Sequence, residues 1–247
     1  MIPGLVSVSF RKLSRREILT LCEKCGLKCI EWGGDIHVPA GDIEKAKETA
    51  AMSADFGVKS VAYGSYFRLG NSNDDFKRNL ETAAVLNTPV LRIWAGTKGS
   101  GKCTEQERDA WVEQLAFISS EAKKCGIDVA PEFHINTLTD SMESLRYLLK
   151  TLPEQKFYWQ PRWDWSEEER LEALGEIGDR LTYIHVFTWR IEDGREIRLP
   201  LADGESMWTK VLSSLPADKP ALMEFVANDD PDNLIRDAEV FTNWLKN

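Results

Sequence analysis

The sequence predicts a (β/α)₈ barrel in one domain spanning residues 1–247. Eight short apolar segments, each followed by an amphipathic one, recur along the chain at intervals of about thirty residues. No linker rich in proline or serine and no shift in composition divides them, and 43% of the residues are apolar, enough for a large core. An open, doubly wound α/β sheet is the competing architecture, but such sheets rarely need eight regular units.

The element boundaries follow from turn and capping residues. Ser14 to Glu17 and Ser166 to Glu169 each form a capping-box pattern, while Gly57 and Gly126 are suited to close helices. We predict strands at about 4–10, 28–32, 58–63, 90–94, 127–134, 156–160, 181–187 and 221–226. We predict helices at about 14–25, 42–56, 73–87, 104–125, 140–152, 166–177, 205–215 and 231–245, with a long polar loop at 190–204.

Charge and composition exclude several classes of partner. The formal net charge of −9 argues against a nucleic-acid backbone or an anionic membrane as the main partner. No leader pattern and no apolar run of about twenty residues is present, so we expect a cytoplasmic protein. The five cysteines do not suggest a disulfide framework. Cys22, Cys25 and Cys29 resemble part of an iron–sulfur spacing, but their predicted helix and strand positions favour simple burial.

All three histidines lie on the predicted catalytic rim, because barrel active sites form at the C-terminal ends of the strands. His37 follows the second strand, His134 ends the fifth, and His185 lies late in the seventh. Strand side chains alternate between faces, so Glu132 and His134 are expected to point the same way. Two proton carriers or metal ligands at one strand end indicate a chemical site.

Acidic and amide side chains also lie at the predicted C-terminal ends of strands. Glu31 ends the second strand, Gln160 the sixth, and Glu224 interrupts the apolar eighth strand. A lone buried carboxylate would cost several kcal/mol unless it is paired, protonated or bound to a metal. A structural ion pair with an arginine such as Arg92 is the alternative interpretation for Glu224 and Glu132.

Four of these residues come from the fifth to eighth strands, which are neighbours around the barrel mouth: Glu132, Gln160, His185 and Glu224. Oxygen and imidazole donors of this kind suit Mn²⁺, Mg²⁺, Co²⁺ or Zn²⁺, with coordination positions left for substrate. The sequence therefore predicts a divalent-metal site.

Short motifs at the same strand ends resemble the xylose-isomerase-like barrels. They are Glu-Phe-His at 132–134, Ile-His-Val at 184–186 and Met-Glu-Phe at 223–225, together with Glu-Trp at 31–32, His-Val-Pro at 37–39 and Leu-Pro-Leu-Ala-Asp-Gly at 199–204. That group includes ketose 3-epimerases, inosose isomerase-type proteins, hydroxypyruvate isomerase and endonuclease IV. The resemblance runs nearly from end to end of the chain, and it implies a sugar isomerase or epimerase.

The resemblance also implies roles for individual residues. In the epimerases a Glu, Asp, His and Glu hold the metal, and here Gln160 replaces the Asp while Trp163 replaces a frequent histidine. An amide ligand carries no charge, so we expect weaker metal binding. Glu132 and Glu224, on opposite sides of the substrate carbon, are the expected catalytic acid–base pair. The expected substrate-binding residues are His134, His37, Glu31, Arg92, Trp94, Lys98, Trp163 and Arg190.

The segment from Gly96 to Cys103 nearly fits the phosphate-cradling pattern G-x-x-x-x-G-K-[ST]. Cys103 occupies the position of the hydroxyl residue, and in a barrel the segment is a rim loop. We expect Lys98, Lys102 and the following helix start to hold a substrate phosphate or carboxylate rather than to hydrolyse a nucleotide.

Three functions compete on these residues. The leading one is an isomerase or epimerase of a small-molecule carbohydrate, which would remove a proton next to a carbonyl with help from a metal. The second is a lyase that cleaves an oxidised glycoside by β-elimination, and the third is a non-catalytic sugar-binding barrel. DNA repair is disfavoured because Tyr63 and Trp94 stand where endonuclease IV has metal-binding histidines. Related barrels often associate, so a homo-oligomer is also among the expectations.

Overall fold

The structure, a computed structural model that describes residues 1–246, contains a closed barrel of eight parallel strands. The barrel strands are β1 (Ile2–Val6), β2 (Cys29–Gly33), β3 (Lys59–Arg68), β4 (Val90–Trp94), β5 (Asp128–Glu132), β6 (Phe157–Trp159), β7 (Leu181–Val186) and β10 (Pro220–Met223). They follow one another around the barrel in chain order, and β10 closes it against β1. The predicted (β/α)₈ fold is confirmed.

Within residues 1–246, seven α-helices connect the barrel strands and an eighth follows the last one: α1 (Arg15–Lys24), α2 (Ile43–Asp55), α3 (Asn73–Val85), α4 (Glu105–Lys124), α5 (Met142–Thr151), α6 (Glu167–Ile177), α7 (Glu205–Ser213) and α8 (Pro231–Trp244). The predicted capping boxes form at Ser14 and Ser166, and a third forms at Thr104. Such caps contribute about 1 kcal/mol each to helix stability. Among residues 1–246, every helix is too short or too polar to cross a membrane.

A small apolar layer inside the barrel forms the floor of the functional end. It includes Cys29, Val90, Ala130, Tyr158 and Leu222, all buried. Residues two positions apart on a strand share a face. The next inward-facing residues towards the C-terminal ends are therefore Glu31, Arg92, Glu132, Gln160 and Glu224. The alternation thus places an apolar layer beneath a polar one.

The first predicted strand was too long at its C-terminal end. β1 stops at Val6, and residues 7–10 form a 3₁₀ turn instead. Ser7 explains the change, because its Oγ accepts a hydrogen bond from Gly33 N at 2.8 Å and contacts His37 Nδ1 at 3.0 Å. A strand continuing through Ser7 would lose these contacts. The third predicted strand was too short, because β3 continues past Tyr63 to Arg68.

The predicted loop at 190–204 was also wrong, because its first half belongs to a β-hairpin. β8 (Thr188–Glu192) and β9 (Arg195–Leu199) pair antiparallel. The two turn residues, Asp193 and Gly194, have φ angles of 50° and 72°. Two positive φ angles are what a tight type I′ hairpin turn requires. The hairpin carries Glu196 to the barrel mouth, where it lines a cavity.

Candidate active site

Five buried charged or ionisable side chains occupy the polar layer at the C-terminal end of the barrel: Glu31, Arg92, Glu132, His185 and Glu224. Each is at most 5% exposed. Burying so many charged groups is costly unless they are paired, and their contacts show how the cost is offset.

Three oxygen atoms converge on one nitrogen of His185. Its Nδ1 lies 3.0 Å from Glu132 Oε1, 3.1 Å from Glu224 Oε2 and 3.5 Å from Gln160 Oε1. These side chains come from the ends of β5, β6, β7 and β10, which are adjacent in the barrel. The structure therefore brings together the four residues that the sequence predicted as metal ligands.

The other nitrogen of His185 faces a carboxylate. Its Nε2 lies 3.3 Å from Glu31 Oε2, and the ring of Tyr158 packs against the imidazole with centroids 4.5 Å apart. Burial alone would lower the pKa of His185, but the negative charges of Glu224 and Glu31 raise it well above its usual value. Without a metal, these carboxylates favour the protonated form of His185.

Arg92 joins the two glutamates on the far side of this cluster. Its Nε donates to Glu31 Oε1 at 2.9 Å and its Nη1 donates to Glu132 Oε2 at 2.6 Å. Trp94 Nε1 also donates to Glu132 Oε2, at 2.5 Å. Burial would raise the pKa values of Glu31 and Glu132, but Arg92 and His185 hold both at about 2. The alternative of an arginine ion pair therefore applies to Glu132, whereas Glu224 makes no such pair within residues 1–246.

The arrangement fits a divalent cation. Glu132, His185 and Glu224 each offer a ligand atom, and these atoms lie within 4.8 Å of one another. Among residues 1–246, Glu224 Oε2 makes an ion-pair contact with His185 Nδ1 at 3.1 Å but no aligned hydrogen bond. When His185 gives up its proton to act as a ligand, this buried oxygen requires another cation. Oxygen ligands with one imidazole suit Mn²⁺, Mg²⁺, Co²⁺ or Zn²⁺, and Glu31 stands where a carboxylate would orient the ligating histidine.

A cavity of about 290 Å³ opens above these residues. His134 lines it and stacks against Trp94, with ring centroids 4.9 Å apart. The Nδ1 of His134 lies 2.8 Å from the carbonyl oxygen of Ile135, which can only accept a hydrogen bond. We infer that Nδ1 carries the proton and that Nε2 keeps a free lone pair. Trp163, 45% exposed, lines the same cavity, so His134 and two tryptophans share the cavity wall with Glu132, Gln160 and Glu224.

Four residues that the sequence suggested for substrate binding do not line this cavity. Glu31 is fully buried against Arg92 and His185. His37 is buried against Ser7 and the Leu13 carbonyl. Lys98 pairs with Glu107 at the start of α4, at 2.6 Å. Arg190 pairs with Glu192 on the hairpin. The glycine-rich segment at 96–103, including Lys102, is likewise outside the cavity lining, so this geometry does not support these roles.

Sequence reasoning missed several cavity residues: Arg11, Tyr66, Arg162, Phe187, Glu196 and Phe225. Glu196 could have been found, because Asp193-Gly194 between alternating residues is a hairpin signal. Phe225 has a φ angle of 50°, an unusual value for a bulky side chain, directly after Glu224. Backbone strain of this kind tends to cluster at functional sites, but it leaves no mark in the sequence.

Comparisons with known proteins agree with this fold. A family model described as "xylose isomerase-like TIM barrel" matches residues 19–244. A 3-dehydroshikimate dehydratase of Bacillus anthracis is 23% identical over 274 positions, which cover 97% of this chain and 96% of that protein. The crystal structure of a probable 3-DHS dehydratase from Bacillus anthracis superposes with a TM-score of 0.81 at 20% identity, covering 98% of this chain and 99% of the other.

Two further solved structures share the fold. The IolI protein with a bound zinc atom has a TM-score of 0.78 at 15% identity, covering 99% of this chain and 98% of the other. A D-allulose 3-epimerase from Methylomonas sp. has a TM-score of 0.73 at 12% identity, with coverage of 99% and 98%. The family match spans nearly the whole described chain. The chain belongs to the xylose isomerase-like TIM-barrel family.

Proposed function

We propose that this protein is a metal-assisted lyase that dehydrates a small hydroxy-ketone. It would remove a proton from the carbon next to the carbonyl and expel the hydroxyl group of the neighbouring carbon as water. The observation that carries the proposal is the position of His134. This residue lines the same cavity as Glu132, Gln160 and Glu224, and its Nε2 is free to accept a proton. The dehydratase relative, matched along almost its whole length, supports the choice of an elimination.

The contacts of Glu132 favour a single base over a pair of bases. Its Oε2 already accepts two short hydrogen bonds, from Arg92 and Trp94, and its pKa lies at about 2. A carboxylate of such low basicity is a weak proton acceptor at neutral pH. Because it stays ionised at neutral pH, Glu132 is instead suited to bind a cation together with Glu224.

His134 can carry the proton through the whole reaction. The neutral imidazole takes the proton from carbon at Nε2, and the resulting imidazolium is stabilised by the carbonyl of Ile135 at Nδ1. It then gives the same proton to the departing hydroxyl group, which leaves as water. The carbon–oxygen bond breaks as the carbon–carbon double bond forms, and the histidine returns to its neutral state.

Glu132, Gln160, His185 and Glu224 would hold the metal, for which Mn²⁺, Mg²⁺, Co²⁺ and Zn²⁺ are the candidates. When bound, the cation supplies Lewis-acid stabilisation for negative charge that develops on the substrate carbonyl. The protein supplies the enclosed cavity, the oriented imidazole and the aromatic faces of Trp94 and Trp163 that position a flat ring.

The test substrate follows from the relative's name. Chelated protein is reloaded with Mn²⁺ and mixed with 3-dehydroshikimate, and the dehydrated product is followed by absorbance and mass spectrometry. We expect a product lighter by one water and a rate that disappears on chelation. Full activity in chelated protein would contradict the metal role, and absence of turnover by the loaded protein would contradict this substrate.

An isomerase or epimerase is the second candidate. One observation favours it: Glu132 and Glu224 both lie within 3.1 Å of a single point, His185 Nδ1, so two carboxylates flank one small volume. A D-allulose 3-epimerase shares the fold. In this reading the two glutamates exchange protons with opposite faces of one carbon. Deuterium incorporation from solvent into an intact ketose, without loss of water, would favour this candidate over the lyase. A protein that only binds sugar would give neither deuterium incorporation nor a dehydrated product.

A further inference from the structure

One arginine of the cavity wall has donors for which residues 1–246 offer no acceptor. Arg162 lies in the segment after β6, lines the cavity and is only 5% exposed. Asp164 pairs with its Nη2, and the guanidinium lies over the ring of Trp165 at 5.3 Å. These contacts fix the position of the side chain.

The remaining nitrogen atoms of Arg162 are unmatched. Nε and Nη1 are buried and find no acceptor among residues 1–246. Together they carry three N–H groups of a permanently charged side chain. Leaving buried charged donors unpaired is strongly unfavourable, so such groups require a partner, which can be a water, an ion or a ligand. Asp164 pairs with only one nitrogen of Arg162. The Asp164 side chain is partly exposed, so water screens its charge.

The two other arginines of the cavity differ in this respect. Arg92 is bound by Glu31 and Glu132. Arg11 pairs with Asp35 and donates from Nη2 to the hydroxyl of Tyr66 at 2.6 Å. Arg162 is therefore the cavity arginine best placed to accept a new anionic partner.

We propose that Arg162 binds a carboxylate group of the substrate and selects carboxylate-bearing molecules for the reaction. The identity of the site as a substrate pocket rests on the proposed function. A single carboxylate charge suits the wall better than a phosphate does. Glu196 and Glu224 also line the cavity, and their negative charges would repel a dianion more strongly. Arginine offers a planar set of donors that matches a carboxylate.

The test compares two probes of nearly the same shape, the anion 3,4-dihydroxybenzoate and the neutral amide 3,4-dihydroxybenzamide. Binding of each to Mn²⁺-loaded protein is measured by calorimetry, without turnover, so the result can be interpreted even if the proposed dehydration fails. We expect the benzoate to bind roughly 10- to 100-fold more tightly, the range that corresponds to a charged hydrogen bond. Equal binding of the two probes to the parent protein would overturn the proposal without any variant.

Variants then assign the preference to one residue. Arg162→Gln is expected to abolish it, and Arg162→Lys to retain part of it. Arg11→Gln, which changes an arginine of the same cavity that already has partners, is the matched control and should keep the preference. A preference that survives in Arg162→Gln would mean that another group, such as the metal, binds the carboxylate. Inorganic phosphate that competes more strongly than the benzoate would overturn the choice of a carboxylate. Mn²⁺ affinity and thermal unfolding verify that each variant is folded.

Discussion

The Nε2 of His185 lies 3.3 Å from Oε2 of Glu31, although 154 residues separate the two along the chain. The contact leaves Nδ1 directed at Glu132 and Glu224. Carboxylates in this position fix the orientation of ligating histidines and increase their basicity. We therefore propose that Glu31 acts through His185 rather than on the substrate.

Replacing Glu31 by Gln should weaken metal binding. The neutral amide in Glu31→Gln would lack the charge that attracts the N–H group of His185. Loss of a carboxylate partner of this kind typically lowers metal affinity 10- to 100-fold. Mn²⁺ titration followed by electron paramagnetic resonance measures the change. Affinity equal to that of the parent, in a variant that unfolds at a lower temperature, would show that Glu31 serves only the fold.

Gln160 offers a change in the opposite direction. Gln160→Asp adds a negative charge beside the candidate ligands and should tighten Mn²⁺ binding by about tenfold or more, since charges so close interact by several kcal/mol. Gln160→Asn is the matched control, because it has the same shorter side chain without the charge. If both variants bind Mn²⁺ with the same affinity, residue 160 does not contribute to the cation site.

His134→Gln tests the proposed proton carrier. Removal of a general base typically lowers the rate by a factor of about 10² to 10⁴. We expect kcat to fall in this range while Mn²⁺ affinity stays within a few-fold of the parent, because His134 is outside the ligand set. A variant that retains full kcat would exclude His134 and shift attention to Glu224.

The buried ion pairs of Arg92 predict how stability depends on pH. Glu31 and Glu132 have folded-state pKa values of about 2, below the ordinary value of 4.5. A lowered carboxyl pKa stabilises the folded state above the unfolded pKa, and this contribution is lost as the pH falls. In metal-free protein it should be complete above about pH 5 and disappear towards about pH 2.

Arg92→Met tests the same pairs by removing the cation. Removing Arg92 leaves His185 as the one buried cation for Glu31 and Glu132 among residues 1–246, and it should lower the free energy of unfolding by about 3–5 kcal/mol near pH 7. The deficit should shrink at lower pH, where protonation removes the unpaired charges. Urea unfolding of both proteins at pH 7 and pH 4 gives the comparison. The same deficit at both pH values would contradict the account of the ion pairs.

The sequence predicted the barrel because its signals are local: strand alternation, capping boxes and glycine helix ends recur in each unit. It also predicted that Glu132, Gln160, His185 and Glu224 lie close together, since a barrel places all C-terminal strand ends on one rim. It could not predict which charges would pair. Arg92 lies between Glu31 and Glu132 only because β4 stands between their strands, and the free donors of Arg162 depend on how the loop after β6 packs.

The most direct test of the metal site is a crystal of the protein soaked in Mn²⁺ and measured near the manganese absorption edge. The account predicts one strong anomalous peak bounded by Glu132, Gln160, His185 and Glu224, with Glu31 still in contact with the far side of the imidazole. A peak elsewhere, or His185 still paired to the carboxylates without an ion at saturating Mn²⁺, would contradict it.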